Sequence, residues 1–186
     1  MQRRRLAGLA LLPLMPSFAA VGQTADPTET LRRGGCAVLL RHASTTSGIG
    51  DPPGFRLDSC STQRNLSDEG RAQAQRIGAW FAARQLRPAA VRTSAWCRCR
   101  DTAQLGFGQA LHWSPLDSTF ENRSLSPAAT QALRSALAAL PAGGFEVWVT
   151  HQVNITALTG EFSSMGQGLL VDASGGVLQP LSFDGV

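Results

Sequence analysis

The chain has no lysine. All 17 of its Lys+Arg residues are arginines, in a sequence of 186. That absence excludes Schiff-base catalysis and nucleotide binding through a P-loop lysine. Any phosphate site here must therefore be built from guanidinium groups and histidine. Histidine is also scarce, with three in all: His42, His112 and His151. The four cysteines, Cys36, Cys60, Cys97 and Cys99, allow three pairings if oxidised. Cys36 falls in an apolar run and reads as a small hydrophobe, and Cys60 with Cys97 is the pair expected to bridge. Cys97-x-Cys99 has the wrong spacing for a zinc knuckle, and His112 is the only histidine near it in sequence, so no metal site is expected. There is no internal repeat, no long linker and no basic tract of the kind that binds nucleic acid.

The first 25 residues read as a secretory signal peptide rather than as part of the fold. Arg3, Arg4 and Arg5 form a positive start, residues 6–15 are apolar, and small residues follow at Ala19-Ala20 and Thr24-Ala25. The apolar stretch is too short and wrongly flanked for a membrane span, and no cysteine follows it for a lipid anchor, so no stable membrane anchor is expected. The arginine run also permits a twin-arginine export signal. The protein is expected to be periplasmic or secreted, where disulfides persist. Residues 26–186 are then one domain of about 160 residues, enough for a proper core. Three arginines and no acid lie in the leader, so the formal net charge falls from +4 to +1 on its removal.

Along that domain, strand patterns alternate with helical ones. Residues 26–33 predict a short helix closed by Gly34-Gly35, and residues 36–40 a buried strand. Residues 46–61 are dense in turn-formers and read as a loop. Ser67 is placed to cap a helix running to about residue 84, with Asp68 and Glu69 in its first turn. A strand over 88–94, a helix over 96–105 and a strand over 111–115 follow. Ser126 is expected to cap a helix over 127–140, with Pro127 in its first turn. A fourth strand over 145–150 leads to a helix over 152–158 stopped by Gly160. Residues 168–171 and 177–181 look like two closing strands. This order implies an α/β fold, a three-layer α/β/α sandwich around a mostly parallel sheet.

Three strand ends then deliver polar groups to one rim of the sheet, where α/β proteins bind ligands. They are Arg41-His42, the segment from Ser94 to Arg98, and Thr150-His151. Two histidines and two arginines converging there suit a dianionic phosphoryl group. Four segments carry a family resemblance. Leu-Leu-Arg41-His42-Ala43-Ser44-Thr45 is similar to an Arg-His-Gly-x-Thr signature, with Ala43 in the glycine position. Leu66-Ser67-x-x-Gly70-x-x-Gln73-Ala74 matches a helix start, Ser94 through Arg98 to Thr102-Ala103 a second helix start, and Val149-Thr150-His151 a second histidine at a strand end. Together they resemble the histidine phosphatase superfamily, the phosphoglycerate mutase-like fold, in order and spacing over residues 35–160.

The resemblance implies that His42 is a nucleophile forming a phosphohistidine. It implies that Arg41, Arg98 and His151 hold the phosphoryl oxygens, and that Thr45 binds phosphate or supports the loop. It implies a histidine acid phosphatase-type monoesterase with no cofactor and no metal, acting on a small phosphorylated substrate such as a sugar phosphate or an envelope glycolipid phosphate. The general acid is the open position. One branch of the family carries it after the second histidine, where this chain has Gln152, which cannot donate as an acid. Glu121 stands after the third strand and is the candidate, with Asp117 next. Mutase activity fits less well, because short loops leave little material for a lid. The rival reading is a non-catalytic envelope protein on the same fold that binds a phosphorylated ligand.

Other residues take plainer roles at this level. His112 reads as structural, Arg100 and Asp101 as helix-surface residues able to pair, and Trp80, Trp96 and Trp148 as core. Arg123 is read either as a substrate contact or as a solvated loop residue. Gln152 and Asn154 are read either as pocket lining or as capping for the helix that follows.

Overall fold

Strand β1 (Cys36–Arg41) is buried along its first five residues, and strand β4 (Phe145–Thr150) along all six. A strand with no wet face must be covered on both sides, so helices are required above and below it. The structure, a computed structural model, describes residues 26–183; the expected leader over residues 1–25 lies outside the described residues. The remaining strands are β2 (Ala90–Thr93), β3 (Leu111–His112), β5 (Gly168–Asp172) and β6 (Val177–Leu181). They form one sheet in the order β3-β2-β4-β1-β5-β6. The pairs β1–β4, β2–β4 and β2–β3 are parallel, whereas β1–β5 and β5–β6 are antiparallel. The sheet is thus mostly parallel, as expected, with the two closing strands as an antiparallel edge.

The helices are α1 (Pro27–Arg33), α2 (Asp68–Ala83), α3 (Cys97–Phe107), α4 (Ser126–Ala138) and α5 (Gln152–Thr159). Alternation along β1 assigns them to layers, because successive side chains of a strand point to opposite faces. Val38 and Leu40 pack with Leu31 of α1, Ile77 and Phe81 of α2 and Ala103 of α3. Ala37 and Leu39 pack with Leu133 and Leu137 of α4 and Ile155 and Leu158 of α5. Trp80 and Trp148 sit in these two cores, one on each side.

Local chemistry sets the element ends. The Ser67 hydroxyl accepts from the Gly70 N–H at 3.0 Å, and Asp68 and Glu69 follow it where the helix dipole favours acids. Gly108 and Gly160 close α3 and α5 at φ of +69° and +80°. Several expected boundaries need correction: the second strand, expected over 88–94, covers Ala90–Thr93, and α4 ends at Ala138 rather than residue 140. The third strand is two residues long rather than five: Trp113 N–H makes the last bond to Thr93. Pro115, which has no N–H, then lies in a 3-10 turn over Ser114–Leu116. Ser126 is inside α4 rather than capping it, and the Asn122 side chain instead caps the 3-10 turn Arg123–Leu125 that leads in. Helix α3 begins one residue later and ends two residues later than its apolar pattern suggests.

Two glycines let backbones touch. A Cβ on Gly70 would lie 1.8 Å from the Ser44 carbonyl oxygen, and one on Gly78 would lie 1.9 Å from that of Gly106. Gly70 therefore lets the start of α2 press against the loop that follows His42, and Gly78 lets α2 and α3 pack closely.

Candidate active site

Registration of the sheet brings three strand ends together. Arg41 of β1 pairs across to Thr150 of β4, and Thr93 of β2 pairs to Val149. The bonds His42 N–H to Thr150 O (3.0 Å) and Ser94 N–H to Val149 O (3.1 Å) extend this alignment one residue further. His42, Ser94 and His151 therefore leave the sheet side by side. The rings of His42 and His151 stand 5.5 Å apart, edge to face. Arg41, His42, Arg98, His151 and Glu121 line one cavity of about 330 Å³. The fold thus brings the expected set to one place.

His42 is 3% exposed. Its Nδ1 lies 2.9 Å from the Ala43 carbonyl. A carbonyl can only accept, so Nδ1 carries the hydrogen and Nε2 carries the lone pair. Burial, opposed by the Ala43 hydrogen bond but joined by the guanidiniums of Arg98, Arg41 and Arg64, pushes the imidazole from its ordinary 6.5 down to about 3. The ring is therefore neutral and nucleophilic at any ordinary pH. The loop behind it is fixed by the other motif residues. Thr102 Oγ1 accepts from the Ala43 N–H (3.0 Å) and donates to the Arg98 carbonyl (2.7 Å). Gln73 Oε1 accepts from the Ser44 N–H (2.9 Å), and its amide donates to the Met165 carbonyl.

His151 Nε2 lies 2.9 Å from Ser94 Oγ. That oxygen also accepts from the Trp96 N–H. Burial, with His42 and the nearby arginines, holds this imidazole well below its ordinary value. Cys99 sits 3.4 Å from the same Nε2, and burial raises its thiol to about 12, so it stays protonated.

Two buried histidines held neutral link stability to acidity. Between pH 6.5 and their depressed folded values, the unfolded chain binds protons that the folded chain refuses, so falling pH favours the unfolded state. Their contribution is complete above pH 6.5 and is lost as pH falls. We expect urea midpoints to drop between pH 6.5 and 5, with a slope of up to ~1.4 kcal/mol per pH unit for each histidine. His42→Asn should remove about half of that slope.

Arg41 and Arg98 are held rigidly. Arg41 Nη1 donates to the Ser163 carbonyl at 2.8 Å and faces Gln152 Oε1 at 3.4 Å. Arg98 Nη1 contacts both carboxylate oxygens of Asp51, at 2.8 and 3.1 Å. In both side chains the Nε–H is buried with no hydrogen-bond partner. A buried donor left unpaired is costly, so its recurrence in two cavity-lining arginines marks a place for an acceptor.

Sequence reasoning missed two residues of the site, Arg64 and Asp51. Arg64 lines the same cavity and is tied to Thr45 Oγ1 (2.6 Å) and to the Gly50 and Gly48 carbonyls. Asp51 is buried beside Arg98, accepting from its guanidinium, from the Arg64 N–H and from Trp96 Nε1 (3.0 Å). Burial raises its carboxyl pKa, but these donors outweigh that, and Asp51 is ionised below the usual carboxylate range. Three guanidiniums less the Asp51 carboxylate leave the phosphate cradle with a net charge of two positive units, the match for a phosphoryl dianion. The turn-rich segment gave little sign of this. The usable signal was Cys60, which forms a disulfide with Cys97 as expected (Cα–Cα 5.7 Å) and so pins that segment beside Arg98.

Other expectations need correction. Thr45 does not line the cavity: it supports Arg64 instead. Asp117 also lies outside it, accepting from the Ala95 N–H at 2.7 Å. Trp96 is buried but is also a wall of the cavity. His112, read as structural, is exposed and pairs with Asp117 at 3.2 Å. Asp101 pairs with Arg71, not Arg100. Arg123 is exposed and outside the cavity. Gln152 both lines the cavity and braces Arg41, whereas buried Asn154 ties down the Asp117 carbonyl (2.8 Å). Among the described residues, no group of three or more His, Cys, Asp or Glu could hold a metal ion, and no helix is long and apolar enough to cross a membrane.

Comparison with known proteins agrees with this geometry. Residues 37–117 match the family model of the histidine phosphatase superfamily (branch 1). The match runs from β1 through the turn that follows β3, and includes His42, Arg98 and the loop between them. Solved structures share the fold at low identity. The protein histidine phosphatase SixA, complexed with tungstate, is 16% identical with a TM-score of 0.53, over 80% of this chain and 97% of that one. TTHB049 from Thermus thermophilus is 21% identical with a TM-score of 0.53, over 79% and 99%. No curated protein matches the sequence. Over residues 37–117 the chain is thus similar to the histidine phosphatase superfamily.

Proposed function

We propose that the protein is a phosphomonoesterase that passes a phosphoryl group through His42. The observation that carries this is the neutral His42 with its free Nε2, set among arginines whose buried Nε–H groups lack acceptors. A phosphate ester seated there meets Arg41, Arg64, Arg98 and the His151 imidazole. His42 Nε2 attacks phosphorus in line, the ester P–O bond breaks, and the alcohol oxygen leaves and takes up a proton. Water then attacks the phosphohistidine, the N–P bond breaks, and inorganic phosphate and neutral His42 are restored. The positive field is fixed before the reaction, which is where most of the rate gain in such a site arises. The matched superfamily supports this chemistry.

Glu121 is the proposed donor to the leaving oxygen. It lines the cavity, and its Oε1 lies close enough to Gly50 that a Cβ there would be 3.9 Å away. Glu121→Gln should slow alkyl phosphates ~10²-fold or more while aryl phosphates, whose phenolate leaves with little help, change far less. Equal losses on both substrates would remove Glu121 from that role.

The leader pattern over residues 1–25 and the Cys60–Cys97 disulfide support a periplasmic or secreted location. The competing reading is a binder without turnover. p-Nitrophenyl phosphate separates the two: steady release of nitrophenolate, undiminished by EDTA, is the expected result. Saturable phosphate binding with no release would establish the binder, and loss of release on chelation would point to a metal-dependent hydrolase.

A further inference from the structure

The cavity is polar at its floor and apolar at its mouth. His42, Arg98 and His151 are each 3–4% exposed and form the floor. Ile49 and Phe120 line the same cavity but are 92% and 43% exposed, which places them at its rim. They belong to opposing segments: a Cβ on Gly50, next to Ile49, would stand 3.7 Å from the Phe120 ring. Phe162, 70% exposed, lies over the Arg41 guanidinium at 5.7 Å. Large apolar side chains this exposed at the mouth of a charged cleft call for an apolar partner.

Two of the polar side chains along the walls, Gln152 and Asp51, already have partners, which leaves Glu121 and Ser118 as the side chains with free capacity there. The Gln152 amide is bonded to Thr156 Oγ1, Ser163 N–H, the Glu161 carbonyl and Arg41. The Asp51 carboxylate is held by Arg98, Arg64 and Trp96. A sugar entering here would strip water from its hydroxyls and find Glu121 and Ser118 as the side-chain replacements, fewer than its hydroxyls need, a loss that binding sites for sugars avoid by lining the walls with free donors and acceptors. An alkyl or aryl group loses nothing by the same burial and gains the hydrophobic contribution.

We propose that the alcohol of the substrate is apolar, an alkyl or aryl group that leaves the phosphate cradle between Ile49 and Phe120, rather than a sugar. This rests on the monoesterase assignment for the identity of the phosphate end, but its test does not require turnover. Binding of n-alkylphosphonates from methyl to octyl, and of a sugar phosphonate, would be measured by calorimetry on the folded protein. The Kd should fall about two- to fourfold per added methylene over the first several carbons. The variant carrying both Ile49→Ser and Phe120→Ser should flatten that series, with the melting temperature as the check that it is folded. A Kd independent of chain length, a slope unchanged in the double variant, or a sugar phosphonate that outbinds hexylphosphonate would overturn the proposal. A chain-length slope without release of nitrophenolate from p-nitrophenyl phosphate would instead remove the monoesterase assignment and keep the apolar cleft. Release with a flat series would do the reverse.

Discussion

Replacing His42 with alanine is expected to reduce kcat for p-nitrophenyl phosphate by ~10⁴-fold or more, the scale seen when a nucleophile is deleted from a unit that works together. The reason is the absence of a substitute. Cys99, the buried thiol nearby, is held protonated by burial that lifts it to about 12. Ser94 is fully buried and bonded to His151, but it does not line the cavity. His151 can polarise a phosphoryl oxygen, yet its Nε2 is taken by Ser94. The check is single-turnover kinetics on variant protein whose circular dichroism matches the parent. A loss smaller than about tenfold would move the nucleophile elsewhere, with the Ser94–His151 pair as the first place to look.

The second large effect falls on a residue that makes no contact with His42. Asp51→Ala should lower the unfolding free energy by ~3–5 kcal/mol, the usual cost of removing one partner from a buried ion pair. Both side chains of the Asp51–Arg98 pair are almost wholly enclosed, at 4% and 5% exposure. Alanine also strands Trp96 Nε1 and the Arg64 N–H, which Asp51 now satisfies. Phosphate should restore part of the loss, because an oxyanion can take the place of the missing carboxylate against Arg98. Added phosphate is therefore expected to raise the melting temperature of Asp51→Ala more than that of the parent. A loss below about 1 kcal/mol, or equal stabilisation by phosphate, would show that Asp51 does not hold Arg98 in place.

The disulfide contributes to the same arrangement. Cys60 and Cys97 are 37 residues apart, and closing such a loop is worth about 4 kcal/mol in the chain-entropy account. Its location matters as much as its magnitude. Cys97 adjoins Arg98, and Cys60 ends the segment that carries Asp51, so the bridge, the ion pair and the phosphate cradle are one connected structure.

The core and the rim of the sheet were readable from the sequence because each rests on a repeating physical pattern. The unbroken apolar run of β1 and the Val147-Trp148-Val149 stretch of β4 required cover on both faces, and alternation along β1 matched the two helical layers. The motif residues are likewise explained by specific bonds: Gly70 is small because Ser44 presses on it, and Gln73 and Thr102 hold the loop after His42. What could not be read depends on tertiary contact. Asp51 and Arg64 sit in a turn-rich segment with no periodicity, and nothing local says that this segment folds back over the cavity. Trp96 looks like core from composition and is core on one side, but its other side forms a wall. Thr45 has two readings in the motif, as a phosphate contact or as a support for the loop. Its hydroxyl lies one step behind the cavity, bonded to the Arg64 guanidinium, the supporting role of the two.

The central claim is a bond between phosphorus and the imidazole of His42. The most direct measurement is to mix the protein with a radiolabelled aryl phosphate, quench in alkali within milliseconds, and map the label by peptide analysis. A label on the His42 peptide, stable in base, released in acid and formed no more slowly than turnover, is the predicted result. Full turnover with no label on that peptide, or with label on another residue, would contradict it.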